Sequence, residues 1–491
     1  MIRRPNILLI TADQWRGDSL GLMGHPCVRT PALDALATEA MVFANHFAPC
    51  APCSPARASL YTGLYQMNHR VVANGTPLDA RFDTIALAAR RAGYRPTLFG
   101  YTDTTLDPRG RAPDDPELHS YEEVLPGFTC RQPLREDDRT WIIWLRQRGH
   151  SETLLADPHA VAPAPDGGVS LAPPGYGPQE TQTAFLVEKL LDWHAEQEAG
   201  HPWFAHVSFL RPHPPFVVPE PFASMVSPAD VPAPIPLAAD PHPLVRLTRD
   251  RAAAANFQPG LSGTIAQLSP DDILRIRALY YGMIAEVDAQ LGRLFETLKA
   301  RGDWEETLVI FTSDHGEMLG DHGLLGKGGF HAGGQHIPLI IRLPGGVAGL
   351  TQGFTSAADV FPSLLDLWGI APGHAPDGET LLPALSGAGG AERDWALWEY
   401  DFRHALPDAM RNQMGLDPRD CHLSVLRRRD AQYVHSPAFP PLVFDLERDP
   451  SGSVDLAGQA CDLRRDMAEA LLRRLTRLRD DTLAGRPLAG A

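Results

Sequence analysis

Short, strongly apolar runs alternate along this chain with longer segments of helical periodicity, and that alternation limits the fold more than any other feature. Five runs read as buried strands, at residues 6–12, 97–101, 203–209, 307–313 and 338–343. Helical patterns cover 30–40, 55–62, 84–92, 180–198 and 271–301. The last carries apolar residues at helical spacing: Ile273, Ile276, Leu279, Met283, Ile284 and Val287. Interleaved elements of this kind predict an α/β architecture, a large and mostly parallel mixed sheet flanked by helices. Four of the five runs end at or just before residues capable of chemistry: Asp13, Tyr101, the pair Arg211 and His213, and Asp314-His315. A site gathered at the carboxyl ends of parallel strands produces this pattern.

After Leu367 the texture changes. Segments 395–400, 422–426, 431–435 and 442–445 lie close together and predict a small antiparallel sheet, followed by a basic amphipathic helix at 463–479. The change sets a boundary near residue 375, between a catalytic domain (1–375) and a smaller C-terminal α+β subdomain (376–491). Two stretches read as long loops: 157–178, rich in Pro, Gly and Ala, and 212–243, crowded with prolines. Either is a wall of the site or a tolerated insertion.

Composition matters here for what it excludes. A net charge of −16 argues against nucleic acid and against an anionic membrane surface as partners. Six cysteines in 491 residues are too sparse for a disulfide scaffold and read as free thiols in a reducing compartment. The basic start Met1–Arg4 precedes an apolar run too short for a signal peptide, and that run lands on Asp13-Gln14 instead of small residues. No later run reaches the ~18 apolar residues of a membrane span. A cytoplasmic protein is expected.

The densest motif is Cys53-Ser54-Pro55-Ala56-Arg57, running on through Ala58-Ser59-Leu60-Tyr61-Thr62-Gly63. Alone it describes a small buried cysteine before a helix. Asp13-Gln14 and Asp314-His315 each close an apolar strand. Together these pairs offer two carboxylates, an amide oxygen and an imidazole, a set suited to a divalent cation. One strand-end Asp is commonly a cap or turn former. Found jointly with the cysteine motif, the pairs point to a metal site.

In this order the motifs resemble the type I sulfatases of the alkaline phosphatase superfamily, and among them the arylsulfatases and phosphonate monoester hydrolases. The resemblance runs from Asn6–Gln14 through Cys53–Gly63 and Met67-Asn68-His69-Arg70 to Arg211-Pro212-His213-Pro214-Pro215-Phe216. It continues with Thr312–Glu317, Gly320-Asp321-His322, Gly326-Lys327 and Ile337–Arg342, and closes with Phe444-Asp445-Leu446 and Asp449-Pro450. It implies an alkaline phosphatase-like fold and oxidation of Cys53 to formylglycine by a formylglycine-generating enzyme; the hydrated aldehyde is then the nucleophile. It further implies a metal held by Asp13, Gln14, Asp314, His315 and residue 53. By the same resemblance, Arg57 holds the deprotonated diol, and His213 and Lys327 protonate or neutralise the leaving oxygen. Asn74 and Tyr101 match positions that contact the substrate's charged oxygens. A histidine ligand at position 315 favours Mn²⁺, with Ca²⁺ the alternative. The subgroup's habit of association through C-terminal segments implies a homo-oligomer, a dimer or tetramer.

One departure is informative. Mainstream arylsulfatases carry a Gly-Lys-Trp-His-like strand end that places two cations over the sulfate; here the segment is Gly100-Tyr101-Thr102-Asp103. Losing two cations and gaining an acidic side chain weakens dianion binding most, because Coulomb attraction scales with charge. The expected substrates are monoanions: sulfate monoesters first, with phosphonate monoesters and phosphodiesters either as side activities or as the main one. A metal-dependent phosphatase with an unmodified nucleophile would call for Ser or Thr at position 53. A non-catalytic descendant would show an eroded site, and this one is complete.

Overall fold

The computed structural model describes residues 4–198, 200–390 and 393–479; Met1–Arg3 of the basic start lie outside the described residues. Fourteen strands occur among them. In chain order they are β1 (Asn6–Ala12), β2 (Met41–Phe47), β3 (Cys50–Ala51), β4 (Pro96–Gly100), β5 (Thr129–Pro133), β6 (Phe204–Phe209), β7 (Thr307–Thr312), β8 (His336–Ile337) and β9 (Leu339–Arg342). β10 (Gly349–Ser356), β11 (Ala396–Asp401), β12 (His422–Arg427), β13 (Ala431–His435) and β14 (Leu442–Asp445) complete the set.

The large sheet runs β10-β2-β9-β7-β1-β6-β4-β5, with β8 paired to β2. From β7 to β5 every neighbour is parallel. β9 breaks the pattern by running antiparallel to both β7 and β2, so the sheet is mixed. The expected α/β architecture is present.

β1 shows why the sheet sits at the centre. All seven of its residues are buried. Leu8, Ile10 and Ala12 face a core shared with the long helix Pro270–Ala300. Ile7 and Leu9 face a second core, with the helices Cys53–Thr62, Ile85–Arg91 and Val360–Trp368. A strand buried on both faces needs a continuous apolar run, and each fully buried Leu or Ile contributes ~1.5–3 kcal/mol.

The register then fixes the site. Ala12 pairs with Phe209, and Thr11 with Thr312, so β1, β6 and β7 end side by side. The residues that follow, Asp13, Arg211 and Asp314, emerge at one edge. The smaller sheet is antiparallel from β14 to β11, as expected, but its last strand is β3, which adds in parallel from far upstream. Segments 157–178 and 212–242 contain neither helix nor strand.

Candidate active site

Cys53 opens the helix Cys53–Thr62, whose ten residues are all buried. The first turn of a helix leaves backbone N–H groups free and favours negative charge there. One of those groups, the Ser54 N–H, is met by the Asn74 side-chain oxygen at 3.0 Å. Asn74 itself is exposed. It caps the helix that carries Cys53 and stands at the rim.

One ligand atom from each of Asp13, Cys53, Asp314 and His315 lies within 4.8 Å of the others, and all four residues are buried. His315 Nε2 is 3.3 Å from Cys53 Sγ and 3.7 Å from a carboxylate oxygen of both Asp13 and Asp314. His315 Nδ1 faces the Gly316 carbonyl at 3.2 Å. A carbonyl only accepts, so Nδ1 carries the proton and Nε2 offers a lone pair. Burial holds the imidazole neutral, well below its usual pKa. Asp13 Oδ1 is buried and has no hydrogen-bond partner. An orphaned carboxylate oxygen beside a bare imidazole nitrogen and a second carboxylate fits a divalent cation with mixed ligands.

The two carboxylates titrate apart. Burial alone would raise Asp13, but Lys327, His213, His315 and Arg57 outweigh it and hold the group well below the usual range. Burial and repulsion from Asp13 push Asp314 up to about 7. The Cys53 thiol, despite Lys327 Nζ at 3.1 Å, is raised well above its usual value by burial and the charge of Asp13. As plain cysteine it is therefore a poor nucleophile near neutral pH.

Arg57 sits one turn beyond Cys53 and is fully buried. Its Nε donates to Asp314 at 3.0 Å, Nη1 to Ser208 at 2.8 Å, and Nη2 to Asp13 at 3.1 Å and to the Tyr101 hydroxyl at 2.9 Å. All three guanidinium nitrogens are engaged, and Arg57 bridges the carboxylates of Asp13 and Asp314. Tyr101 is delivered by Gly100, which has a φ of 108° and sits so close to β6 that a Cβ there would lie 2.1 Å from the Ser208 carbonyl oxygen. The Tyr101 hydroxyl also donates to Asp13.

Gln14 holds a left-handed φ of 68°. Its Oε1 accepts from Lys327 Nζ at 2.9 Å and its Nε2 donates to Glu317. Lys327 is half-buried; burial lowers its pKa, but the hydrogen bond to Cys53 and the carboxylates of Asp13 and Asp314 raise it more, so it stays cationic. His213 is half-buried in the proline-rich segment; Nδ1 donates to the Pro214 carbonyl at 2.7 Å, leaving Nε2 as an acceptor. Burial pushes its pKa down to about 3.

Asp13, Gln14, Cys53, Arg57, Tyr101, Asp314, His315 and Lys327 thus meet at one point, with His213 close enough to act on the charge of Asp13 and Asn74 at the rim. Two members, Ser208 and Glu317, were given no role in the sequence, and Asp103 only that of an added charge. Ser208 is a small polar residue inside an apolar strand, a signal that was there to read. Glu317 closes the Asp314–Glu317 motif. Asp103 is buried with neither oxygen hydrogen-bonded, 3.6 Å from Arg57 Nε. Burial and the charges of Asp13 and Asp314 exceed the pull of Arg57 and raise its carboxyl well above the usual range.

Comparison with known proteins supplies the family. The chain superposes on the phosphonate monoester hydrolase of Agrobacterium radiobacter with a TM-score of 0.95 and 50% identity, covering 99% of this chain and 98% of that one. The phosphonate monoester hydrolase of Silicibacter pomeroyi gives 0.90 and 36%, covering 98% and 97%. The multifunctional alkaline phosphatase superfamily protein PehA of Trinickia caryophylli is 39% identical, over 96% of this chain and 95% of its own. A family model described as Sulfatase matches residues 5–370. With that match spanning the whole large sheet and the cluster at its edge, the chain belongs to the sulfatase family of hydrolases.

Proposed function

We propose that this enzyme hydrolyses monoanionic sulfate esters through a formylglycine formed from Cys53, and that phosphonate monoesters and phosphodiesters are further substrates. The observation that carries the reading is the convergence of Asp13 Oδ1, Asp314, His315 Nε2 and Cys53 on one buried point at a helix N-terminus. Asp13, Asp314 and His315, with Gln14 and residue 53, would hold the divalent cation, and the imidazole ligand favours Mn²⁺ over Ca²⁺. The aldehyde hydrate supplies a nucleophilic hydroxyl, and the cation supplies Lewis acidity.

The chain's own residues do the rest. Arg57 and Tyr101 orient the two carboxylates from behind. Lys327, cationic and in contact with residue 53, neutralises or protonates the leaving oxygen. His213, near enough to Asp13 to act on its charge, is the second candidate for contact with the leaving oxygen. Neither Tyr101 nor Asp103 brings a cation to the position where mainstream arylsulfatases place two, which supports the monoanion preference. Burial favours the neutral form of Asp103, which puts more of the effect on the missing cations than on an added charge.

The likeness to two phosphonate monoester hydrolases favours a second reading, in which phosphonate or diester cleavage is the main activity. Maturation requires a formylglycine-generating partner. The exposed helix Cys461–Arg477 is the proposed contact for homo-oligomers. The six cysteines are all free thiols, in keeping with a reducing compartment, and no described helix is long and apolar enough to cross a membrane.

Metal-replete enzyme, with Cys53 checked by peptide mass, is assayed on an aryl sulfate, an aryl phenylphosphonate, an aryl phosphodiester and an aryl phosphate, beside Cys53→Ala. The reading expects sulfate to lead, phosphate monoester to trail, and all activity to vanish in the variant. A lead for phosphonate or diester selects the second reading. Activity that survives Cys53→Ala overturns both.

A further inference from the structure

Glu317 lies two residues beyond His315, is fully buried, and has no part in the roles above. Its carboxylate nevertheless accepts three hydrogen bonds. Oε2 accepts from Gln14 Nε2. Oε1 accepts from the backbone N–H of Leu319 at 2.9 Å and of Gly326 at 2.6 Å. Those two N–H groups stand at opposite ends of a loop that also closes on itself, Met318 N–H to Gly326 O at 2.9 Å and Gly320 N–H to Leu324 O at 2.7 Å. Gly326 immediately precedes Lys327. One carboxylate therefore touches both the Gln14 amide and the loop that presents the site's cation.

We propose that Glu317 is a positioning residue that orients the Gln14 amide with its oxygen toward the cation site and holds loop 318–326 so that Lys327 reaches residue 53. The two ends of a primary amide have nearly the same shape and opposite polarity, whereas a carboxylate only accepts. Facing Glu317, Gln14 must present Nε2, and Oε1 then faces Lys327 and the ligand cluster. Turned over, the amide would set oxygen against carboxylate and an NH₂ donor against the Lys327 ammonium. The Gln14 backbone cannot relieve this. Its N–H is bound to Asp314 Oδ1 at 3.1 Å and its carbonyl accepts from the Tyr280 hydroxyl at 2.8 Å. A neutral amide at position 317 cannot serve all three donors at once, because one end of it must itself donate.

The inference rests on Gln14 as a cation ligand, and the test separates the two claims. Binding of Mn²⁺, added as MnCl₂ to metal-free enzyme, is measured by titration calorimetry for wild type, Asp13→Asn, Glu317→Gln and Glu317→Asp, with thermal midpoints and kcat alongside. Glu317→Gln is expected to weaken Mn²⁺ binding about 10–100-fold, as loss of a ligand's supporting hydrogen bond does, and to lower kcat. Glu317→Asp, which keeps an acceptor-only group, is expected to bind Mn²⁺ more tightly than Glu317→Gln. A Glu317→Gln enzyme that melts earlier yet binds Mn²⁺ as wild type does has a merely structural residue there, and the proposal falls. The reverse order of Asp and Gln overturns it as well. Should Glu317→Gln fail to fold, Glu317→Ala, which removes the acceptor altogether, with wild-type affinity is the contrary result. If Asp13→Asn leaves Mn²⁺ binding intact, the cation site is misread and this inference falls with it.

Discussion

Asp103 is the residue whose surroundings say most about selectivity. It lies in the segment where related arylsulfatases carry positive charge, and the cation it meets is Arg57, already bound to Asp13, Asp314, Tyr101 and Ser208. If missing positive charge sets the monoanion preference, supplying it should shift the preference. Asp103→His is expected to raise kcat/KM for aryl phosphate relative to aryl sulfate, most clearly at acidic pH where the imidazole is charged. An unchanged ratio would remove Asp103 from the account of specificity. At this scale the gathering of Asp13, Asp314 and His315 beside Cys53 was legible, because a polar residue ending a buried strand has few places to go. The partners of Arg57 were not: Asp13, Asp314, Ser208 and Tyr101 come from four other strand ends, and nothing local to Cys53–Gly63 points to them. Glu317 was readable only as a motif letter, since its meaning depends on Gln14 lying opposite.

Among elements, the helix Pro270–Ala300 best shows local signals agreeing with tertiary demands. Ser269 and Asp272 form a capping box around Pro270, and the apolar stripe packs beneath the sheet. In its middle, buried Glu286 accepts from the hydroxyls of Thr181 at 2.6 Å and Thr183 at 2.9 Å, tying it to the start of the helix Gln182–Ala195. Burial pushes the Glu286 carboxyl from 4.5 up to about 7, against those hydroxyls and the charges of Arg211 and Arg293. A pKa raised by folding means that the native state binds the proton more tightly than the unfolded chain does. The group's stabilisation is therefore complete below about 4.5 and lost as pH rises through about 7. Glu286→Gln should flatten the fall of the thermal midpoint across that window compared with wild type; two parallel curves would show that Glu286 does not titrate there. Interior strands and long helices were legible because burial on both faces demands unbroken apolar runs. Edge strands were not. β5 alternates exposed and half-buried residues, and β10 opens on five exposed or half-exposed residues, two of them glycines; β2, inside the sheet next to β10, was hidden because Asn45 and His46 break its run.

At the scale of the whole molecule, the smaller sheet and the large one are joined at the nucleophile. β3, two residues before Cys53, pairs with β11 through Cys50 and Ala51. The Glu399 N–H donates to the Pro49 carbonyl at 2.9 Å, and the Glu399 carboxylate accepts from the Met67 N–H at 2.7 Å. Beside it, Trp398 is fully buried and stacks on Phe47 at 5.7 Å. The C-terminal sheet thus braces both ends of the segment that carries Cys53. A two-residue strand leaves no trace in periodicity, so this junction was invisible in the sequence even though the four C-terminal strands were not. All of it, the large sheet, the brace and the cation cluster, converges on one side chain whose own chemistry is poor until it is changed. The most direct test measures turnover of the aryl sulfate by preparations in which the fraction of molecules with an aldehyde at position 53, read by peptide mass, is varied through co-expression of a formylglycine-generating enzyme. The account predicts activity proportional to that fraction and vanishing with it. Full activity in molecules that keep the Cys53 thiol would contradict it.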